Sequence, residues 1–150
     1  MDFLLYHINF GFPLVDEHAR IVAEGITGME PRTEHAKGGL ERAMTFQPPE
    51  NDIEEECFYY SFDRDAVKIS LENPSLGPDG MRARLCYNTK QLPEFTEWKM
   101  MRSREYVCGF APGTNRLEGR ANALQNEKVR WLQPLERADF DLEFQLETIA

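Results

Sequence analysis

The stretch Phe140-Asp141-Leu142-Glu143-Phe144-Gln145-Leu146-Glu147 alternates apolar and polar side chains without interruption. Successive side chains of a β-strand point to opposite sides of a sheet, so this period of two predicts a strand with one buried face and one solvated face. Antiparallel sheets commonly have one face on the core and one face in water. The stretch therefore predicts a β-rich fold of the antiparallel kind.

The same period recurs upstream. Residues 66–71 and 81–87 alternate on either side of Gly77-Pro78-Asp79-Gly80, which predicts a hairpin with a long loop. Further strands are predicted at residues 57–62, 106–110 and 128–132. Many short strands joined by turns predict an all-β fold, an antiparallel β-sandwich that residues 1–150 form as a single domain.

Helical signals are few. Residues 40–44 are compatible with one helical turn, and residues 118–126 with either a short helix or an ordered loop. Residues 27–51 are polar and rich in glycine and proline, which predicts a long connection.

Composition restricts the partners and the compartment. The chain has 17 lysine and arginine residues against 26 aspartate and glutamate residues, a net charge of -9. A nucleic-acid backbone repels such a surface, so we expect no nucleic-acid partner. The sequence has neither a signal-like N-terminal stretch nor an apolar run long enough to cross a bilayer, so we expect a cytoplasmic protein without membrane association.

The cysteines and histidines give no metal motif. Cys57, Cys86 and Cys108 form no close pair, which predicts free thiols in a reducing compartment. The spacing of the three histidines is not typical of a metal site, so we expect neither a metal nor another cofactor.

His7 is the best-placed titratable side chain of the chain. It interrupts the otherwise apolar start of the run from Leu4 to Leu14. Strand alternation places Asn9 on the same face as His7, so both side chains can point into one cleft. A histidine in an apolar strand is also common as a hydrogen-bonded structural residue, and both interpretations stay open at this point.

Four motifs in a fixed order resemble those of one enzyme family. They are His7-Ile8-Asn9-Phe10-Gly11-Phe12-Pro13-Leu14, then Glu55-Glu56-Cys57-Phe58-Tyr59-Tyr60, then Leu92-Pro93-Glu94-Phe95-Thr96-Glu97-Trp98-Lys99, then Tyr106-Val107-Cys108-Gly109-Phe110-Ala111-Pro112-Gly113-Thr114-Asn115. Together they resemble the aldose 1-epimerase (galactose mutarotase-like) family, and within it a divergent, uncharacterised bacterial branch. The family's domain is about double this length, and the resemblance covers its C-terminal half.

The resemblance implies a galactose mutarotase-like sandwich, part of a larger supersandwich and shortened on its N-terminal side. It also implies a carbohydrate-binding protein of the aldose 1-epimerase type, in which His7 is the catalytic acid. In the family a glutamate acts as the catalytic base. Ala111 stands at that position here, and alanine cannot accept a proton. Sugar isomerisation therefore requires a substitute carboxylate, and Glu94, Glu97 and Glu118 lie near the matched motifs in sequence.

The resemblance implies a monosaccharide or sugar derivative as ligand, bound by Asn9, Glu55, Trp98 and Lys99. Two alternatives to simple binding stay open: an aldose mutarotase that uses a substitute carboxylate, and a non-catalytic structural fragment. Part of a large sandwich would expose apolar faces and strand edges. We therefore expect a homo-oligomer, or pairing with a second β-rich chain.

Overall fold

The computed structural model describes residues 2–126 and 129–150, whose regular structure is mainly β-strand. The strands in chain order are β1 (Ile8–Gly11), β2 (Arg20–Ala23), β3 (Ile26–Pro31), β4 (Glu56–Phe62), β5 (Ala66–Asn73), β6 (Met81–Asn88), β7 (Glu94–Arg102), β8 (Glu105–Gly113) and β9 (Leu142–Thr148). Two short helices, α1 (Glu34–Lys37) and α2 (Arg120–Gln125), and a 3-10 turn at Leu40–Arg42 accompany them. Within the described residues, no helix is long and apolar enough to span a bilayer.

The strands form two antiparallel sheets packed face to face. One has five strands in the order β1-β8-β7-β4-β3, and the other has four in the order β2-β5-β6-β9. The large buried side chains between the sheets include Phe58, Phe95 and Phe110 from the first and Ile69, Leu71 and Leu85 from the second. This arrangement confirms the predicted all-β antiparallel sandwich.

The predicted hairpin forms as β5 and β6, which pair from Ala66 opposite Asn88 to Asn73 opposite Met81. Gly80 in its loop has a φ of 66°, a conformation that favours glycine. The strands predicted at residues 57–62 and 106–110 are β4 and β8. The strand predicted at residues 128–132 begins outside the described residues, and residues 129–132 make only an isolated bridge between Arg130 and Asp2.

The C-terminal strand is present, but the prediction that its apolar face is buried was wrong. Leu146 lies opposite Ala83 and Phe144 opposite Leu85, on the side of the sheet that faces the core. Ala83 and Leu85 are buried, whereas Phe144 is 51% exposed and Leu146 is 62% exposed. The reason is that β9 is the edge strand of its sheet, and the opposing sheet ends at β1.

Residues 27–51 are more regular than the predicted connection. They contain most of β3, then α1 and the 3-10 turn at Leu40–Arg42, which agrees with the helical turn expected there. The pairing of β3 with β4 shifts register between Ile26 and Gly28. This bulge and Pro31 at the strand end interrupt the period of two, so the sequence pattern does not reveal the strand.

A carboxylate lies in the core between the two sheets. Glu97 of β7 is completely buried, and one of its oxygens accepts a hydrogen bond from the Tyr60 hydroxyl at 2.7 Å. Its other oxygen has no hydrogen-bond partner among the described residues. Burial raises the pKa of Glu97 from 4.5 to about 7, although the charge of Lys99 and the bond from Tyr60 lower it.

We predict that Glu97 makes the protein less stable as pH rises from about 4.5 to about 7. In this range the folded state keeps the proton while the unfolded state releases it, so the free energy of unfolding falls with pH. The Glu97→Gln variant lacks this fall. Its stability relative to wild type should therefore increase by about 3 kcal/mol between pH 4.5 and pH 8, at 1.36 kcal/mol per pKa unit.

Urea unfolding at both pH values measures this difference. Glu105→Gln is the matched control, because Glu105 is an exposed strand glutamate. An equal pH dependence for Glu97→Gln and wild type would contradict the prediction.

Candidate functional site

A cleft lies on the outer face of the five-stranded sheet, the face turned away from the four-stranded sheet. Its volume is about 450 Å³. Strand alternation brings alternate side chains of four neighbouring strands to this face. The lining residues are His7, Asn9, Arg32, Glu55, Cys57, Thr96, Trp98, Ala111 and Leu117. His7 and Asn9 therefore share one cleft, and both are exposed to solvent.

Gly109 makes room for these two side chains. It lies opposite Asn9 of β1 on one side and opposite Trp98 of β7 on the other. A Cβ atom at this position would lie 2.6 Å from Cε1 of His7 and 3.1 Å from Oδ1 of Asn9. Only a glycine allows the imidazole and the amide to lie across β8 in this way.

Trp98 connects the imidazole to a carboxylate. Its ring contacts His7 edge to face, with ring centroids 5.9 Å apart and planes at 64°. Its Nε1 donates a hydrogen bond to Oε2 of Glu55 at 2.7 Å. The half-buried indole therefore holds Glu55 on the side of the cleft away from His7.

Arg32 follows directly after β3 and forms part of the same wall. Its backbone N–H donates to the carbonyl of Cys57 at 2.9 Å, and Nη1 lies 4.0 Å from Oε1 of Glu55. Burial raises the pKa of the Cys57 thiol, although a hydrogen bond with Arg32 opposes this. Cys57 is thus a neutral thiol at neutral pH, and all three cysteines are free as predicted.

Ala111 is a buried floor residue of the cleft, at the position where the resembled family carries its base. None of the three carboxylates considered as substitutes from the sequence lines the cleft. Glu94 is bound to Arg116 at 3.0 Å, Glu97 faces the core, and Glu118 is an exposed loop residue. Among the described residues, the carboxylate that lines the cleft with His7 is Glu55.

The geometry brings together four of the five predicted site residues, and Lys99 is the exception. Lys99 follows Trp98 in β7, so its side chain points to the opposite face, where it is buried. Its ammonium group donates to the backbone carbonyls of Arg42 at 2.9 Å and Thr45 at 2.7 Å. The prediction that Lys99 binds substrate is therefore wrong. Lys99 instead binds the segment around the 3-10 turn to the core side of the sheet through these hydrogen bonds.

The comparisons with known proteins agree with this fold. Residues 2–146 match the family model described as a domain of unknown function, DUF4432. The chain belongs to this family. A crystal structure of a "putative aldose 1-epimerase" from Klebsiella pneumoniae subsp. pneumoniae superposes with a TM-score of 0.86 at 32% sequence identity. No functionally curated protein matches the sequence.

The match to the Klebsiella protein covers 95% of this chain but only 37% of that protein. The DUF4432 chain therefore spans a little over a third of the length of its structural neighbour. The likeness identifies its fold as the galactose mutarotase-like β-sandwich.

Two arginines of the DUF4432 chain were not predicted at the site, Arg32 and Arg116. Arg116 binds Glu30 at 2.7 Å and Glu94 at 3.0 Å, and its guanidinium lies 4.8 Å from the ring centroid of Tyr59. These contacts fix the loop that carries Leu117 over the outer face, where Leu117 forms one wall of the cleft. Arg116 therefore holds Leu117 in position at the cleft.

We predict that Gly109→Ala displaces the His7 imidazole, because the new methyl group would overlap Cε1. The measurement is the position of the His7 ring signals in ¹H–¹³C spectra of the free protein. Gly28→Ala is the control, since a Cβ atom there meets its nearest neighbour at 3.9 Å, an ordinary contact. Unchanged His7 signals in a folded Gly109→Ala protein would show that the ring does not lie against β8.

Proposed function

We propose that the DUF4432 chain binds a cyclic monosaccharide in the cleft of the five-stranded sheet. The observation that carries the proposal is the meeting of an indole, an imidazole, an amide and a carboxylate in one open cleft above the small residues Gly109 and Ala111. The description of the Klebsiella neighbour as a "putative aldose 1-epimerase" points to the same class of ligand.

The cleft has the size and chemistry that a pyranose requires. Its volume of about 450 Å³ lies within the range of about 300–1,000 Å³ typical of small-molecule sites. The ring of Trp98 offers an apolar surface to the C–H face of a sugar. Asn9, His7 and Glu55 offer donors and acceptors to its hydroxyl groups.

Sugar binding can be measured by tryptophan fluorescence. The chain has two tryptophans, and Trp131 is exposed outside the cleft, so a Trp131→Phe background leaves Trp98 as the reporter. We predict saturable quenching or enhancement with galactose or glucose. Asn9→Ala should weaken binding about tenfold, because the loss of one hydrogen bond costs about 1–1.5 kcal/mol.

An open-chain polyol such as sorbitol, at equal concentration, is the control for solvent effects. A fluorescence signal that changes identically with sorbitol and with the hexoses would contradict specific binding. An unchanged signal together with unchanged NMR shifts of the cleft residues would rule out the proposal.

A second candidate function is mutarotation with Glu55 as the proton acceptor. Mutarotation needs an acid that protonates the ring oxygen and a base that removes the proton of the anomeric hydroxyl. The C–O bond of the ring then breaks as the carbonyl forms, and closure on the other face of the carbonyl inverts the anomer. Glu55 favours this function because it lines the same cleft as His7.

The separation of the two groups is compatible with an intervening sugar. His7 precedes β1 and Glu55 precedes β4, and two strands lie between these in the sheet. The pairing register places Glu55 level with Gly11, four residues along β1 from His7. Three strand steps of about 4.8 Å, combined with this offset at about 3.4 Å per residue, place the two backbones roughly 20 Å apart. Both side chains reach inward toward Trp98, so a single ring can contact His7 on one flank and Glu55 on the other.

Polarimetry on freshly dissolved α-glucose and α-galactose tests this second function. We predict that Glu55→Gln lowers the catalysed rate by about 10² to 10⁴, the usual contribution of a general base. Ala111→Glu restores a carboxylate at the floor and should raise the rate. Equal rates for wild type, Glu55→Gln and a protein-free buffer would exclude catalysis while leaving the binding proposal intact.

A further inference from the structure

Among the described residues, each layer of the sandwich ends on the same side in a strand that has no further strand beside it. The five-stranded sheet ends with β1 and the four-stranded sheet ends with β9. The rings of Phe10 and Phe144 stack with centroids 6.2 Å apart, which shows that β9 lies over β1. The core-facing side chains of Phe144 and Leu146 are more than half exposed at this open side. The core is therefore accessible to solvent between the two edges.

The opposite side of the sandwich is closed by the chain itself. There the turn at Gly25 leads from β2 in one sheet to β3 in the other. The backbone N–H of Ile21 in β2 donates to the carbonyl of Met44 at 2.8 Å, so an additional segment pairs with that edge. The exposed apolar side chains of β9 therefore mark the side of the sandwich formed by β1 and β9, whereas the side formed by β2 and β3 is covered.

The free edge of β1 is ready for strand pairing. The backbone N–H of Tyr6 donates to the carbonyl of Pro112, so Tyr6, and Ile8 after it, direct their backbone groups to β8. In an antiparallel pair, alternate residues direct their backbone groups away from the partner strand. The N–H and C=O groups of His7 and Asn9 therefore point outward, away from β8. Among the described residues, no other segment forms a backbone hydrogen bond with His7.

The charge distribution favours a second copy of this chain at that edge. Natural edge strands are usually protected by charged side chains or by bulges. Residues 3–14 contain no charged side chain, so the net charge of -9 is carried elsewhere and does not oppose contact here. On β9, Glu147 is neutralised by Arg82 at 3.1 Å and Arg84 at 2.9 Å.

The geometry points to a two-fold dimer in which β1 of each copy pairs antiparallel with β1 of the other. The outward backbone groups are compatible with a register that places His7 of one copy opposite Asn9 of the second copy. The two five-stranded sheets then form one continuous sheet, and the exposed faces of Phe144 and Leu146 meet those of the second copy. His7 and Asn9 of the second copy also come to lie beside the cleft, which otherwise ends at an open strand edge.

The interface does not depend on sugar binding, and sedimentation equilibrium of the full chain tests it directly. We expect the mass to rise from that of the monomer to twice that value between low and high micromolar concentration. Leu146→Lys should raise the dissociation constant at least about tenfold, because it buries a charge without a partner in the dimer. In the monomer Leu146 is 62% exposed, so the variant should fold.

Leu135→Lys is the matched control, because Leu135 is a fully exposed leucine outside the two edge strands, and this variant should dimerise like wild type. Amide exchange locates the contact: the His7 and Asn9 amides should become protected as the concentration rises, in wild type but not in Leu146→Lys. A monomeric mass at every concentration, or a dimer that Leu146→Lys leaves unchanged, would overturn the inference. A dimer whose His7 and Asn9 amides stay unprotected would overturn the β1 pairing.

Discussion

The register of β8 between β1 and β7 is the constraint on which the cleft depends. It places Gly109 beside Asn9 on one side and Trp98 on the other. A slip of β7 by one residue would turn Trp98 into the core and bring Lys99 to the outer face. The same register fixes the interior, because Phe95 of β7 meets Phe110 of β8 with ring centroids 5.6 Å apart. The same strand register therefore determines both the packed core and the polar cleft, and a change of register would alter both.

Local periodicity predicted most strands and correctly placed His7 and Asn9 on one face. The misplacement of Lys99 was avoidable, because strand alternation from Trp98 already turns the neighbouring side chain to the other side of the sheet. The motif resemblance grouped Trp98 and Lys99 by sequence proximity, whereas the sheet separates them. Adjacent residues of one strand point to opposite faces of the sheet, so for a cleft on a single face alternation is a better guide than adjacency in the sequence.

The positions of Arg32 and Arg116 at the cleft were not predicted from the sequence, for a different reason. Arg32 follows a strand whose period is broken by a bulge, and Arg116 lies in a loop. Arg116 binds Glu30, which is 86 residues away in the chain. Such pairs depend on the order of strands in the sheet, and the sequence of a single chain does not specify which distant strands become neighbours. Contacts of this kind appear only once β3, β4 and β7 are aligned.

The C-terminal strand shows that a local sequence pattern determines which side of a strand is apolar but not whether that side is buried. Alternation determines which side of β9 is apolar, and the structure has Phe144 and Leu146 on the core-facing side as the pattern requires. Whether that side is covered depends on the opposing sheet, which ends at β1. An apolar face in water costs free energy roughly in proportion to its exposed area. The pattern of β9 is therefore that of a strand whose apolar side is covered by an opposing sheet, whereas among the described residues that sheet extends only as far as β1.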